Sequence, residues 1–430
     1  MRRTTRRTAS AFTALAVAAS LALTGCGRDS GSDAGPGASK AISDAKASGT
    51  INVWAMGTEG EKLQDFVKDF ETANPDATVK VTAVPWEAAH DKISAAIASG
   101  KTPDVSLIGT TWMGEFAKAG GLDPTPDGLV KDSDFYDGAW GSTVVGNTSY
   151  GVPWYVETRV LYYRTDLAKK AGWDKAPTTW DEFSKFAADL KKSGVRYPVS
   201  LQPGQTGSWQ TVLPFAWSEG ADLTKNGGKA YNFDSPQLLK ATQYYQSFFT
   251  DGISNKSAPA TPTTEPDFAS GKVPMFISGP WMMSAVEKVG GAGFKDKYNV
   301  APIPAGSAGS SSFVGGSNFV VFKNTKNRDT SWKFVQWLSD PKVQAKWYTI
   351  STDLPSVKSA WQDPALASDK KLAVFGKQLE TAKAPPSFPT WEQAVKGLDT
   401  EMEKITKTGE DPATGLKTAQ QQADSIGTGL

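Results

Sequence analysis

Tyr155, Glu157 and Arg159 stand two residues apart. In a strand that spacing sets an aromatic ring, a carboxylate and a guanidinium on one face. Such a trio suits a polar ligand that also has apolar faces. It lies within Gly151–Gly172, reading GVPWYVETRVLYYRTDLAKKAG, together with Trp154, Tyr162 and Tyr163. The same residues would also serve as an ordinary buried strand carrying a Glu157–Arg159 ion pair, since aromatics and β-branched residues favour strands.

Most bond-making chemistry has no footing elsewhere in the chain. His90 is the single histidine, so any Ser-His-Asp or Cys-His mechanism would have to pass through it. Its place one turn after Trp86 reads as a surface or capping position. No serine has a Gly-x-Ser-x-Gly context, and Cys26 is the single cysteine. Zinc needs clusters of Cys and His, which are absent, and neither a Walker A run nor a strand-anchored Gly-x-Gly-x-x-Gly occurs. No metal or cofactor is expected. Glycoside hydrolysis needs only two carboxylates, and Glu157 with Glu59 could supply them. Fifteen tryptophans remain to be placed. Most should be core, but Trp112, Trp154, Trp209 and Trp281 fall at expected turns or edges. A sugar ring stacks its C–H face on such aromatics and offers hydroxyls to carboxylates and arginine.

The elements that would position these residues read as an α/β chain. TINVW (50–54) is a strand, Gly57–Gly60 a loop, and Leu63, Phe66, Val67 and Phe70 lie at helical spacing before Asn74-Pro75. Strand 77–84, helix 86–99 and strand 105–108 follow, an alternation that argues for a parallel sheet with ligands beyond its carboxyl edge. Thr179-x-x-Glu182 is a capping box, Ser235 caps a helix reaching about Phe249, and KVPMFI (272–277) is a strand. Residues 312–322 read as a strand pair around Gly315-Gly316, and the chain from Lys370 onward as mostly helical.

At 430 residues the chain is too long for one compact core, which suggests two lobes. Forty-six basic against 45 acidic side chains give no electrostatic support for a nucleic-acid partner. Arg2, Arg3, Arg6 and Arg7 precede an apolar run, Ala11–Leu23, and Leu23-Thr24-Gly25-Cys26 then resembles a bacterial lipobox. The expectation is a lipoprotein signal over 1–25, lipidation at Cys26 and a flexible tether over 26–48, rich in Gly, Ser and Asp. Such a tether would reach on the order of 25–30 Å from its anchor.

Taken together, several stretches resemble the extracellular solute-binding lipoproteins of carbohydrate ABC importers. They are the lipobox, the helix ending in Asn-Pro, Ala98-Ser-Gly-x-x-Pro-Asp104-Val and Gly120-Gly-Leu-Asp-Pro124. Gly151-Val-Pro-Trp-Tyr through Tyr163-Arg-Thr-Asp166-Leu, Ser278-Gly-Pro-Trp281 and Phe313-Val-Gly-Gly316 complete the set. The resemblance runs from about residue 48 to 420 and implies a two-lobed, hinged, periplasmic-binding-protein-like α/β fold of type II with the ligand between lobes. Lobe 1 would take 49–157 plus 317–355, and lobe 2 158–316 plus 356–430. It also implies a monomer that binds a mono- or oligosaccharide without transforming it and delivers it to membrane permease subunits. By the same resemblance Tyr155 and Glu157 contact sugar hydroxyls where the chain crosses between lobes. Trp281 stacks on the sugar, Gly316-Ser317 form a binding turn, and Glu59 or Glu61 supplies an acid after the first strand. Trp112 and Arg159 complete the candidate site. Gly109, Ser317 and Pro385 stand where related binders often have an acid, a tryptophan and an arginine, which puts the particular sugar in doubt. A glycosidase and a same-fold binder of a non-sugar solute, such as a polyamine, are the rival readings.

Overall fold

The computed structural model describes residues 40–205, 207–258 and 264–430. The signal, the lipobox with Cys26 and the first part of the tether lie outside the described residues. Residues 40–48 do not behave as tether. Ala47 is buried, the Ser43 N–H donates to Asp329 at 3.0 Å, and Ser48 exchanges bonds with Thr330 Oγ1. A Ser- and Lys-rich segment is held here because polar partners on the helix Arg328–Leu338 satisfy its backbone.

Two sheets carry the architecture. In the larger, Gly49–Met56 pairs in parallel with Ala77–Val84 on one side and Val105–Gly109 on the other. The sheet then continues antiparallel through Ser312–Val321, Val152–Thr158 and Leu354–Pro355. Ile51, Val53 and Ala55 are all buried from solvent, as an interior strand requires. Gly57–Gly60 is no loop, because the helix Gly57–Phe66 begins directly at the strand's end. It presses Leu63 and Phe66 on a core that includes Trp154, Phe319, Trp332 and Trp347. The smaller sheet runs Tyr298–Ala301, Val160–Arg164, Met275–Ser278 and Val199–Ser200. Around it the helices Trp180–Lys192, Trp209–Ser218, Pro236–Thr250 and Trp391–Glu403 close a second core. The capping expectations hold: Thr179 Oγ1 accepts from the Glu182 N–H, and Ser235 Oγ from that of Leu238.

The chain passes from the first sheet to the second at Arg159 with no loop between. Val152–Thr158 ends and Val160–Arg164 begins one residue later. Side chains pin the crossing: Thr158 Oγ1 donates to Phe313 O at 2.8 Å, and Ser312 Oγ bridges the N–H and C=O of Arg159. Ser312–Val321 is one long strand rather than a hairpin. Its start packs Phe313 and Val314 on the second-sheet side, and its end packs Phe319–Val321 on the first. Gly315-Gly316 is therefore the point where a single strand spans two cores, which is why a turn was wrongly expected there.

Candidate functional site

The pairing of Val152–Thr158 with Ser312–Val321 builds the floor of the site. Glu157 lies opposite Gly315 and Tyr155 opposite Ser317, and the register slips between Ser317 and Asn318. That slip leaves Trp154 unmatched, next to Pro153, which has no N–H to pair. Trp154 turns into the first core, only 2% exposed, while Tyr155 and Glu157 face the other way. The expected alternation is thus real, and Trp154 belongs to the core side of it.

Tyr155 and Glu157 open on a cleft of about 540 Å3, within the range typical of small-molecule sites. On the first-sheet side Trp86, Thr110, Thr111 and Trp112 line it. The Trp86 and Trp112 rings meet edge to face at 5.7 Å, and His90 and Phe116 support Trp112 from behind. His90 is itself occupied, 2.9 Å from Glu115 through Nε2, so it serves the wall and not chemistry. Gly315, Gly316 and Phe313 form the floor beside Glu157. Gly316 has φ +118°, and a Cβ there would drive into the Tyr155 carbonyl oxygen, so only glycine lets the two strands approach.

Of the far wall, the sequence reading singled out Trp209 alone. Glu392, Lys396 and Asp399 face the cleft from the helix Trp391–Glu403. Their spacing of four and then three residues does put them on one helical face, but a charged face is usually a solvated one. Gln210 and Trp209 join them from the helix Trp209–Ser218. Glu392 and Lys396 make no ion pair or hydrogen bond with other described side chains, leaving a free carboxylate and ammonium at the rim. Asp399 is different: 4% exposed, it accepts bonds from Gly207 N, Ser208 Oγ and Trp209 N at 2.7, 2.7 and 2.9 Å. Burial pushes its carboxyl above the usual range, against the pull of those donors.

Not every expected residue reaches this cleft. Arg159, 8% exposed, points behind it and lines a second chamber of about 370 Å3 with Trp281 and Gln210. Its Nη2 donates to Gln210 Oε1 at 2.9 Å and lies 3.3 Å from Glu157 Oε1, and its guanidinium covers the Trp281 ring at 4.7 Å. Trp281, 43% exposed at the start of the helix Trp281–Gly290, is the largest aromatic offered to solvent among the described residues. Ser317 is fully buried and lines neither the cleft nor the second chamber. It donates to Tyr155 Oη at 3.1 Å and so aims that ring. Glu59 sits in the first turn of its helix, off the cleft wall, and reaches the site only through its charge. Burial first, then the Glu59 and Asp353 carboxylates, push the Tyr155 hydroxyl well above the usual phenol range.

Asp353 is the other acid the sequence did not reveal. It precedes Leu354–Pro355, whose residues pair with Val156 and Tyr155, and it accepts a 2.9 Å bond from Trp347 Nε1. Burial and then the facing Glu59 push it from 3.8 up to about 6. Below pH 4 the folded and unfolded chains are both protonated at this group, and above pH 6 the fold carries the full cost of its charge. Its contribution to stability therefore falls as pH rises from about 4 to 6. Asp353→Asn should remove that dependence and stabilise the protein at pH 7.5 by about 1–3 kcal/mol. Chemical denaturation at pH 4 and 7.5 checks it: an equal effect at both pH values would contradict the assignment.

The family described as bacterial extracellular solute-binding protein matches residues 55–345. The chain belongs to that family. This solute-binding protein is 30% identical over 411 residues to the diacetylchitobiose binding protein DasA of Streptomyces coelicolor, a match covering 92% of this chain and 93% of that one. It is 29% identical over 374 residues to a putative binding protein of Brucella abortus (strain 2308), covering 85% and 90%. Among solved structures, the sugar-binding protein MalE from Xanthomonas citri matches with a TM-score of 0.84 at 33% identity, covering 88% of this chain and 97% of that one. The shared fold is the periplasmic-binding-protein one. The family is one of solute-binding proteins and not of enzymes, so the hydrolytic pairing of Glu157 with Glu59 falls away.

Proposed function

We propose that this solute-binding protein captures a mono- or oligosaccharide outside the cell and delivers it to the permease of an ABC importer. One observation carries the reading. The crossing strands bring Tyr155 and Glu157 to the floor of a cleft whose first-sheet wall is the half-buried pair Trp86 and Trp112. Carboxylate and amide groups suit sugar hydroxyls, and the aromatic wall suits the C–H faces of the ring. Relatives named for saccharides support it: the DasA protein for diacetylchitobiose, and a Bacillus subtilis protein for galactooligosaccharides. A ligand touching both walls favours their approach, so capture shifts an open–closed equilibrium that the permease reads. A polyamine would find acids here too, but Lys396 and the Arg159 guanidinium oppose a polycation.

A thermal-shift screen over monosaccharides, disaccharides and polyamines tests the assignment, because a bound ligand raises the melting temperature by mass action. At least one saccharide should shift it. A shift with spermidine and none with any sugar would overturn the proposal.

The lipid anchor belongs to the same proposal. Cys26 follows Leu23-Thr24-Gly25, and among the described residues no helix is long and apolar enough to cross a membrane. Cys26→Ser should move the protein from the membrane fraction to the medium; retention of the variant in washed membranes would refute the anchor.

A further inference from the structure

The helix Trp209–Ser218 carries two side chains of the far wall, yet it lacks a cap of its own. Ser208 has helical backbone angles and its side chain makes no capping bond. The first N–H groups of a helix need acceptors. Here the acceptor comes from another element, Asp399, whose Oδ1 takes Ser208 Oγ and Trp209 N and whose Oδ2 takes Gly207 N. With both oxygens engaged, Asp399 faces the cleft but has its strongest acceptor directions already filled. The turn leading into the helix needs holding, since Gly204, Gln205 and Gly207 all have positive φ, and for Gln205 that backbone is strained. Gly204 also lies directly against the backbone of Glu403, on the same helix as Asp399.

What the clasp positions is a relay to the cleft floor. Trp209 stands edge-on to Phe313 at 5.2 Å and to Trp391 at 5.4 Å. Gln210, next in the chain, accepts from Arg159 Nη2, and the same nitrogen reaches Glu157. Displacing the start of this helix would therefore turn the Arg159 fork and release Glu157 from its orientation.

We propose that Asp399 is a positioning residue for ligand binding, clasping the start of the Trp209–Ser218 helix so that Gln210 and Arg159 aim Glu157 into the cleft. The proposal rests on the saccharide reading for its consequence, but not for the clasp itself.

Two measurements on the full chain separate these. Hydrogen exchange should show the Gly207 and Trp209 amides protected in the parent protein, and about tenfold or more less protected in Asp399→Asn, where one oxygen becomes a donor. Unprotected amides in the parent protein would overturn the clasp whatever ligand is bound. Calorimetry would then use N,N′-diacetylchitobiose, galactobiose and maltotriose as probes on the parent, Asp399→Asn, Gln210→Ala and the double variant. Each single change should weaken the best probe by about tenfold, with the double variant no more than about twofold weaker than either, because both act through one relay. Asp399→Glu, which keeps the carboxylate, should recover part of the affinity. Additive losses, or an unchanged affinity in Asp399→Asn, would refute the positioning role. Should Asp399→Asn fail to fold, additivity between Asp399→Glu and Gln210→Ala decides the same question. If none of the probes binds the parent protein while its amides are protected, the positioning role for these saccharides is overturned and the clasp alone stands.

Discussion

Glu157→Gln should weaken saccharide binding by about 10- to 100-fold while leaving the melting temperature nearly unchanged. The two halves of that expectation have separate causes. The loss of affinity follows from replacing charge-assisted acceptance of a sugar hydroxyl by a neutral bond, roughly half as strong. The small effect on stability follows from what surrounds the side chain. Glutamine keeps an oxygen for Arg159 Nη2, and the guanidinium retains Gln210 and the faces of Trp281 and Phe313. The change removes the carboxylate paired with Arg159, but that carboxylate is 28% exposed and so partly screened by water, which keeps the cost small. Calorimetry with the saccharide selected by thermal shift reads the affinity. An unchanged dissociation constant would take Glu157 out of the site.

Gly316→Ala should have the opposite profile, destabilising the fold by about 3 kcal/mol or more through left-handed backbone strain and overpacking. At φ +118° any side chain is strained, and the added carbon would meet the backbone of Tyr155 and Val156, which cannot rotate away. Its neighbour supplies the contrast. A Cβ on Gly315 would come within 2.6 Å of the Phe313 ring and 2.9 Å of Glu157 Oε1, side-chain rather than backbone atoms, of which the half-buried carboxylate is the one free to yield. Gly315→Ala should therefore lower affinity by displacing Glu157, at much smaller cost to stability. Urea denaturation of the two variants beside their ligand titrations checks the pair. Equal destabilisation by both would contradict the distinction between the backbone clash at Gly316 and the side-chain contacts at Gly315.

The parity of Tyr155, Glu157 and Arg159 was legible because a strand's period is two and needs no tertiary information. The same holds for the strands 77–84 and 105–108, the helix 86–99 and the caps at Thr179 and Ser235, all set by local patterning. Gly57–Gly60 was misread because glycine and threonine signal a loop on propensity alone. The helix starts there since its apolar face has the first core to pack on. Residues 40–48 were misread for the same reason, their ordering being supplied by partners nearly 290 residues away.

The amino-acid sequence by itself determined the α/β class, the order of the first strands and helices and the shared face of Tyr155 and Glu157, while the family, its two lobes and the crossing between them came through the resemblance its motifs carry. These follow from periodicity, from turn chemistry and from motifs whose order a single chain displays. Only the tertiary structure decided which charges share the cleft. It set Ser317 behind Tyr155, moved Glu59 off the wall and Arg159 into a second chamber, and brought Glu392, Lys396 and Asp399 in from the distant helix Trp391–Glu403. The physical reason is that a side chain's partner across a cleft is chosen by the packing of separate elements, and no local pattern records that packing.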